Sequence, residues 1–407
     1  MSTHLMVVLT MYNEDAGELR GTLCALQRAF EYLFSREERR VNALSAEVRR
    51  AMKEGLDAGG AVEDNGSVSP AEGRRRWCNA VATGQAWRQV VVCIVSDGKT
   101  KIHPSAQEYL GKLGLFDRSA MHLCSLGLEP SLHLFEKTVR PKFLRLEEGD
   151  VAACPMQGIL ALKEHNAGKL DSHRWAFNGL APQLKPRYLM TLDVGTMPTP
   201  EAVYRLLRAM ERNPQIGGVC GEIAVDKPLT SASLTNIVVA AQNWEYKVSN
   251  VMDKAMESVF GFVTVLPGAF SAYRYEALRG APLQAYLRPC DADVNARSLG
   301  AFKGNMHLAE DRVLCFELLA RKGCKWTMHY VKGAVAFTDV PETLVAFIKQ
   351  RRRWLNGANF AMLHSLLNFH RYARSLSRPV LSHLLLLTHD CSLLVSALTS
   401  LLTCTCN

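Results

Sequence analysis

Two aspartates, Asp97 and Asp193, stand directly after short apolar runs, Val90 to Ser96 and Tyr188 to Leu192. Carboxylates so placed can point into one cleft, where a hard divalent cation takes oxygen ligands and fills its shell from phosphate and water. Asp193, in Leu192-Asp193-Val194-Gly195-Thr196, is the metal candidate, although Gly195 stands where a second carboxylate would complete a DxD pair. The same side chain could instead cap the turn that follows. Ala309-Glu310-Asp311-Arg312 sets two adjacent carboxylates before the helical pattern Val313 to Lys322. Asp311 is a candidate general base, while a carboxylate at a helix start is also what the helix dipole favours. In Gln350-Arg351-Arg352-Arg353-Trp354, the side chains of Gln350, Arg353 and Trp354 are three and four residues apart and share a helical face. A guanidinium fork matches phosphate oxygens, and an indole offers a flat apolar platform to a sugar ring. Arg351 and Arg352 then point elsewhere, with lipid headgroups one destination; for a basic run by itself, a solvated face is the alternative. A cation site, a phosphate fork and a base are what sugar transfer from a nucleoside diphosphate needs.

The elements that must hold these groups follow from hydrophobic patterning. Leu5 to Thr10 leads into Met11-Tyr12-Asn13-Glu14-Asp15, and Val90 to Ser96 into Asp97-Gly98-Lys99. Each run reads as a buried parallel strand followed by a loop. Helical patterns lie between, such as Glu201 to Arg212 behind Pro200, and Pro341 to Phe369 reads as an amphipathic helix. Strands alternating with helices imply an α/β sheet covered on both faces, with ligands beyond the carboxyl ends of its strands. Ser35 to Trp77 breaks the pattern with two arginine-rich runs and the Gly/Ser/Asp-rich stretch Ala58 to Ser69. It reads as a helix followed by a flexible surface insertion without catalytic atoms.

At 407 residues the chain can hold one large or two ordinary domains. Its formal charge of +9 suits nucleotide phosphates, anionic lipid or nucleic acid. The basic residues lack the aromatic-interleaved sheet pattern of a nucleic-acid module, so no nucleic acid is expected. Twelve cysteines without a CxxC pair read as free thiols in a reducing compartment. No secretory signal opens the chain. Val380 to Cys406 is apolar, with Asp390 its one formal charge. It reads as a first membrane helix or an interfacial segment, with a buried helical hairpin the alternative. Its abrupt end suggests an incomplete chain.

Together these segments resemble chitin synthases, processive family-2 glycosyltransferases. The stretches that carry the likeness are VLTMYNED, VVCIVSDGKTKI, KEHNAGKLDSHRW, LDVGT, GGVCGEI, the block from Gln242 to Arg274, LAEDR and QRRRWLNG. QxxRW alone also resembles cellulose and hyaluronan synthases. The resemblance implies a GT-A type, Rossmann-like mixed sheet over 1–340, an amphipathic and interfacial segment over 341–379, and a hydrophobic segment over 380–407. It implies UDP-N-acetylglucosamine as donor, β-1,4-linked chitin as product, Mg or Mn as cofactor and inversion at the transferred sugar. It further implies a plasma-membrane protein with a cytoplasmic catalytic domain in contact with lipid, for which a homodimer is a possible assembly. By motif, Thr10, Tyr12, Glu14, Asp97 and Lys101 line the uridine site, and Asp193 holds the metal. Glu222 and Leu266, Pro267, Gly268 and Ala269 border the sugar and acceptor. Asp311 is the base, and Gln350, Arg353 and Trp354 bind diphosphate and the acceptor's terminal sugar. The sequence departs from the family in starting almost at the first strand, in the length of its insertion and in lacking most of a multi-helix channel after QRRRW. A truncated, inactive UDP-binding partner of a synthase is the competing reading.

Overall fold

The computed structural model describes residues 3–43, 70–122, 130–140, 154–226, 236–290, 307–321, 325–368 and 370–371. Among them, nine strands form one sheet in the order β3-β4-β2-β1-β5-β8-β7-β9-β6. Strands β1 (Leu5–Met11) and β2 (Val90–Ser96) are buried at every position. Continuous apolar runs of this kind belong at the centre of a sheet covered on both sides. With β4 (Met156–Lys163) and β5 (Tyr188–Asp193) they form a four-stranded parallel centre. On one side β3 (Leu132–Val139) adds antiparallel to β4. On the other, β8 (Phe270–Arg274) runs antiparallel to both β5 and β7 (Ile216–Val225), and β9 (Thr327–Thr338) returns parallel to β7. The short β6 (Met197–Pro198) pairs with β9 at the edge. The helix-covered α/β sheet anticipated from the alternation, mixed as the family resemblance implied, is thus the architecture.

Side-chain alternation along β1 feeds two cores. Leu5, Val7 and Leu9 pack with α1 (Ala16–Asn42), α2 (Pro70–Ala82), α3 (Pro104–Leu113) and α5 (Ala202–Arg212). Met6 and Val8 face the opposite layer, which holds Phe177, Tyr286 and the apolar residues of α9 (Glu310–Ala320). The helix α4 (Lys169–Arg174) precedes Phe177 directly, and α8 (Ala281–Leu287) carries Tyr286. Helices α6 (Ile237–Val248) and α7 (Lys254–Val259) come between β7 and β8 in the chain. The last described helix is α10 (Leu344–Leu367), N-capped by Thr343.

Asp15 closes the loop after β1 by capping α1, with Glu18 completing a capping box. Residues 35–42 finish α1. Residues 70–77 belong to α2, whose Trp77 is buried against the His4 ring at 3.9 Å. The remainder of the anticipated insertion, 44–69, lies outside the described residues, as does the hydrophobic segment 380–407. Among the described residues no helix is long and apolar enough to cross a membrane.

Topology decides where chemistry can gather. The parallel strands β1, β2, β4 and β5 end at one edge of the sheet. Because β8 runs the other way, the chain entering it, Leu266 to Ala269, arrives at that same edge.

Candidate active site

Thr10 and Asp193 are directly paired across β1 and β5, and the Thr10 hydroxyl donates to Asp193 Oδ1. The Lys169 ammonium donates to the other oxygen, Oδ2, at 2.6 Å. Burial works against the Asp193 charge, but the Lys169 charge and these hydrogen bonds outweigh it and hold the carboxyl below its usual range. Burial likewise opposes the Lys169 charge, yet Asp193 and Asp311 raise its pKa overall. The Asp193 side chain is 32% exposed, so a ligand can reach it. Gly195 turns the chain at φ +91°, and its amide donates to Thr22 Oγ1 at 3.0 Å. That left-handed backbone favours glycine and explains why no second carboxylate stands there.

Asp311 Oδ2 accepts from the Gly268 amide at 2.9 Å. The preceding segment is fixed from below: the buried Leu266 amide donates to Cys315 Sγ at 3.3 Å, and the Phe270 amide donates to the Pro267 carbonyl at 3.1 Å. A Cβ at Gly268 would lie 3.0 Å from Asp311 Oδ1 and 3.3 Å from Lys169 Nζ, so the carboxylate and the ammonium both approach a single point. Burial raises the Asp311 pKa, with Lys169 opposing it. Its neighbour Glu310 is pushed up to about 7 by burial and then by the Asp311 charge.

The anticipated face of Gln350, Arg353 and Trp354 continues through Gly357, since positions 350, 354 and 357 follow the helical repeat. Gly357 lies against Leu308 and Ala309, the turn that opens α9. At Gly357 this side of α10 therefore rests on the turn that leads into Asp311. Arg353 is exposed, Trp354 half-buried, and Gln350 Oε1 is buried without a hydrogen-bond partner among the described residues. The expectation for Arg351 needs correction. Its guanidinium sits 4.6 Å from the Trp354 ring centre and 5.0 Å from that of Phe347, and Nη1 pairs with Glu245 of α6 at 2.7 Å. Residues 347, 351 and 354 are also helical neighbours, which directs Arg351 across its own helix and not outward. Arg352 is exposed.

Residues 72–369 match the family model described as the chitin synthase-like glycosyltransferase domain. The chain belongs to this family. It is 47% identical to chitin synthase 1 of Phytophthora sojae over 367 residues, covering 90% of this chain and 36% of that protein. Identity to chitin synthase 2 of Mycosarcoma maydis is 45% over 302 residues, 74% of this chain and 28% of the relative. Identity to chitin synthase 1 of Saccharomyces cerevisiae is 38% over 375 residues, 91% and 29% respectively. The chain spans about a third of the length of these relatives. Among solved structures, the mannosyltransferase PcManGT of Pyrobaculum calidifontis with GDP-Man and Mn2+ is 10% identical, covering 98% of this chain and 76% of that one at a TM-score of 0.45. TarS of S. aureus is 8% identical, covering 92% and 43% at a TM-score of 0.40.

Of the residues anticipated around uridine in this chitin synthase-like protein, Thr10 lies on β1, Tyr12 and Glu14 follow it, and Asp97 and Lys101 follow β2. Asp97 Oδ1 accepts from the Ala167 amide at 3.0 Å and pairs with Lys163 at 2.7 Å, so the carboxylate anchors the loop 164–168. Lys163, itself buried, also reaches Asp171 at 2.9 Å. Tyr12 and Lys101 are exposed, and Glu14 accepts from the Tyr12 amide at 2.6 Å. Glu222 lies on β7. The registers Thr191–Ser271 and Ser271–Cys220 put it level with Asp193, two strand spacings or about 10 Å away. Ala269 enters between them.

Lys163, Lys169 and Asp171 escaped assignment, although all three lie in KEHNAGKLDSHRW. The available signal was the run Met156 to Leu162, a further buried strand with polar residues at its carboxyl end. Applied to β4, the rule that selected Asp97 and Asp193 selects Lys163, while Lys169 and Asp171 lie on the helix that follows.

Among the described residues no three His, Cys, Asp or Glu side chains gather as a metal cluster. Asp193 nonetheless fits a divalent cation that arrives with a diphosphate, since such ions use one or two carboxylates and take phosphate oxygens and water for the rest. Lys169 would then share or yield Oδ2.

Proposed function

We propose that the chain transfers N-acetylglucosamine from UDP-N-acetylglucosamine to the C4 hydroxyl at the non-reducing end of a β-1,4-linked chitin chain, with inversion. The observation that carries the reading is the approach of the Asp311 carboxylate and the Lys169 ammonium, itself held on Asp193, to one point at Gly268. A carboxylate and a phosphate-neutralising cation gathered near one point suit a single displacement at a sugar carbon. Asp311 takes the hydroxyl proton as that oxygen bonds to C1, and the bond from C1 to the UDP oxygen breaks. Lys169 and Arg353 receive the charge that develops on the leaving diphosphate. Gly268 holds Asp311 in place through its amide. Trp354 and Gln350 seat the acceptor's terminal sugar, and Glu222 and Ala269 border it. Tyr12, Glu14, Asp97 and Lys101 lie where the uridine of a diphosphate bound at Asp193 falls. Mg or Mn at Asp193 would supply further neutralisation of the diphosphate.

We place the domain at a membrane face, with lipid and a second copy of the chain as partners. Exposed Leu344, Val345, Ile348 and Leu355 on α10 support contact with an apolar surface.

The test is release of UDP from UDP-N-acetylglucosamine by membranes containing the chain, with Mg or Mn, with EDTA, and beside Asp311→Asn. Metal-dependent release that is lost in Asp311→Asn, while UDP still binds, is the expected result. An insoluble, chitinase-sensitive product extends it to polymer. UDP that binds while donor is never consumed would leave an inactive nucleotide-binding partner. Preference for a glucuronate or glucose donor would point to a hyaluronan- or cellulose-type synthase.

A further inference from the structure

His173 lies one helical turn after Lys169 on α4, so the two side chains are neighbours on one helix face. Its Nδ1 is hydrogen-bonded to the Tyr286 hydroxyl at 2.5 Å. Both rings are 1% exposed. Phe177, the next turn along, stacks on His173 at 5.2 Å and lies 6.2 Å from the Tyr286 ring, closing a three-ring wedge. His173 Nε2 faces away from Tyr286 and has no hydrogen-bond partner among the described residues. The charges felt by the ring are Lys169, Asp193 and Lys163.

Tyr286 connects this wedge to the other half of the site. It belongs to α8, which packs along α9, the helix whose first turn carries Asp311. The phenol also feels Glu310, Asp311 and Asp193. One buried hydrogen bond thus joins the turn presenting the ammonium to the helix that packs along the one carrying Asp311. Burial and then Lys169 hold the imidazole down to about 3, so it is neutral at any working pH and adds no repulsion to the ammonium.

We infer that His173 and Tyr286 are positioning residues for the diphosphate end of the site. Their hydrogen bond ties the Lys169 turn to the scaffold of the Asp311 helix and keeps ammonium and base in register. This rests on the reading of Lys169 and Asp193 as the diphosphate holders. Neither ring is required to touch substrate.

The imidazole's two nitrogens can be replaced separately. Asn at 173 keeps a polar atom near the Nδ1 position, Gln keeps one near Nε2, and Tyr286→Phe deletes the partner oxygen while leaving the ring. The full 407-residue chain is titrated with UDP in Mg2+ buffer, and donor turnover and melting are measured alongside. Tyr286→Phe and His173→Gln are expected to weaken UDP binding and lower kcat/KM about tenfold, the lower range for losing a group that orients a primary ligand. His173→Asn is expected to retain most of both. Two results would overturn the inference. One is Tyr286→Phe binding UDP like the parent, whatever its melting temperature. The other is His173→Gln behaving as the parent while His173→Asn fails, which would assign the effect to Nε2. Lys169→Met separates the levels. If it leaves UDP affinity unchanged, the underlying diphosphate reading fails. If it weakens UDP while Tyr286→Phe does not, only the positioning role fails.

Discussion

Gly357 of α10 rests on the backbone of Ala309, two residues before Asp311. A Cβ at 357 would come within 2.7 Å of the Ala309 amide nitrogen and 2.9 Å of the Leu308 carbonyl carbon. The closest of these atoms are backbone, so no side chain can swing away to make room. The contact fixes the spacing between the face carrying Gln350, Arg353 and Trp354 and the turn carrying Asp311.

Replacing Gly357 with Ala should therefore act against its helix propensity. In an open helix the change stabilises by about 1 kcal/mol. Here overpacking should cost about 1–3 kcal/mol, and turnover should fall further than melting alone explains. Melting and UDP release measured on Gly357→Ala check this; a more stable, fully active variant would show that the two helices have room to part.

Lys169→Met should weaken the donor more than the acceptor. A charge-assisted hydrogen bond to phosphate is worth about 1.5–3 kcal/mol, or about 10–100-fold in donor KM. Lys169→Arg should recover part of the loss, because charge returns without the same reach. Steady-state kinetics with donor and acceptor varied separately decide it, and equal changes in both constants would count against a diphosphate role.

Glu310 gives the site a pH signature. Its carboxyl is raised to about 7, chiefly by burial. The folded state therefore holds a proton that the unfolded chain, near the ordinary carboxylate range, has released. Stability from this group is complete below the unfolded value and is lost as pH rises through about 7. Melting temperature should fall between pH 5 and pH 8 by more in the parent than in Glu310→Gln, which carries no titrating proton. Superimposable melting profiles for parent and variant would remove Glu310 from this effect.

How much of this was legible in the sequence follows from what each signal encodes. Continuous apolar runs marked β1, β2 and β5 almost to the residue, because buried parallel strands need them at every position. Asp97 and Asp193 followed from those strand ends. The partner of Asp193 did not. Lys169 opens α4, beyond the end of β4, and the pairing exists only once the strand order is known. The meeting of Gly268 with Asp311 depends likewise on β8 running antiparallel to β5, which hydrophobic pattern alone leaves undetermined. Trp77 was read with the polar stretch before it, because one aromatic among arginines gives no periodic signal. Its burial against His4 is tertiary.

The arginine assigned outward from the sequence supplies the remaining prediction. Arg351 joins Glu245 of α6 to the Trp354 ring, so α10 is held in rotation about its own axis as well as in position. The ion pair is partly exposed, with Glu245 about half accessible, and contributes only about 0.2–1 kcal/mol by itself. Stacking on the indole adds about 0.5–2 kcal/mol. Arg351→Met should thus disturb Trp354 more than it lowers melting, while Arg351→Lys should keep the charge and lose the planar stack. The acceptor KM for short chitin oligosaccharides should rise in both variants, with donor KM nearly constant, and Glu245→Gln should give a smaller change in the same direction. Because Glu245 acts through Arg351, adding Glu245→Gln to Arg351→Met should change nothing more. Acrylamide quenching of Trp354, compared with a Trp354→Phe control, reads the ring directly and does not depend on turnover. An indole no more accessible in Arg351→Met than in the parent would show that Trp354 is held by its other neighbours.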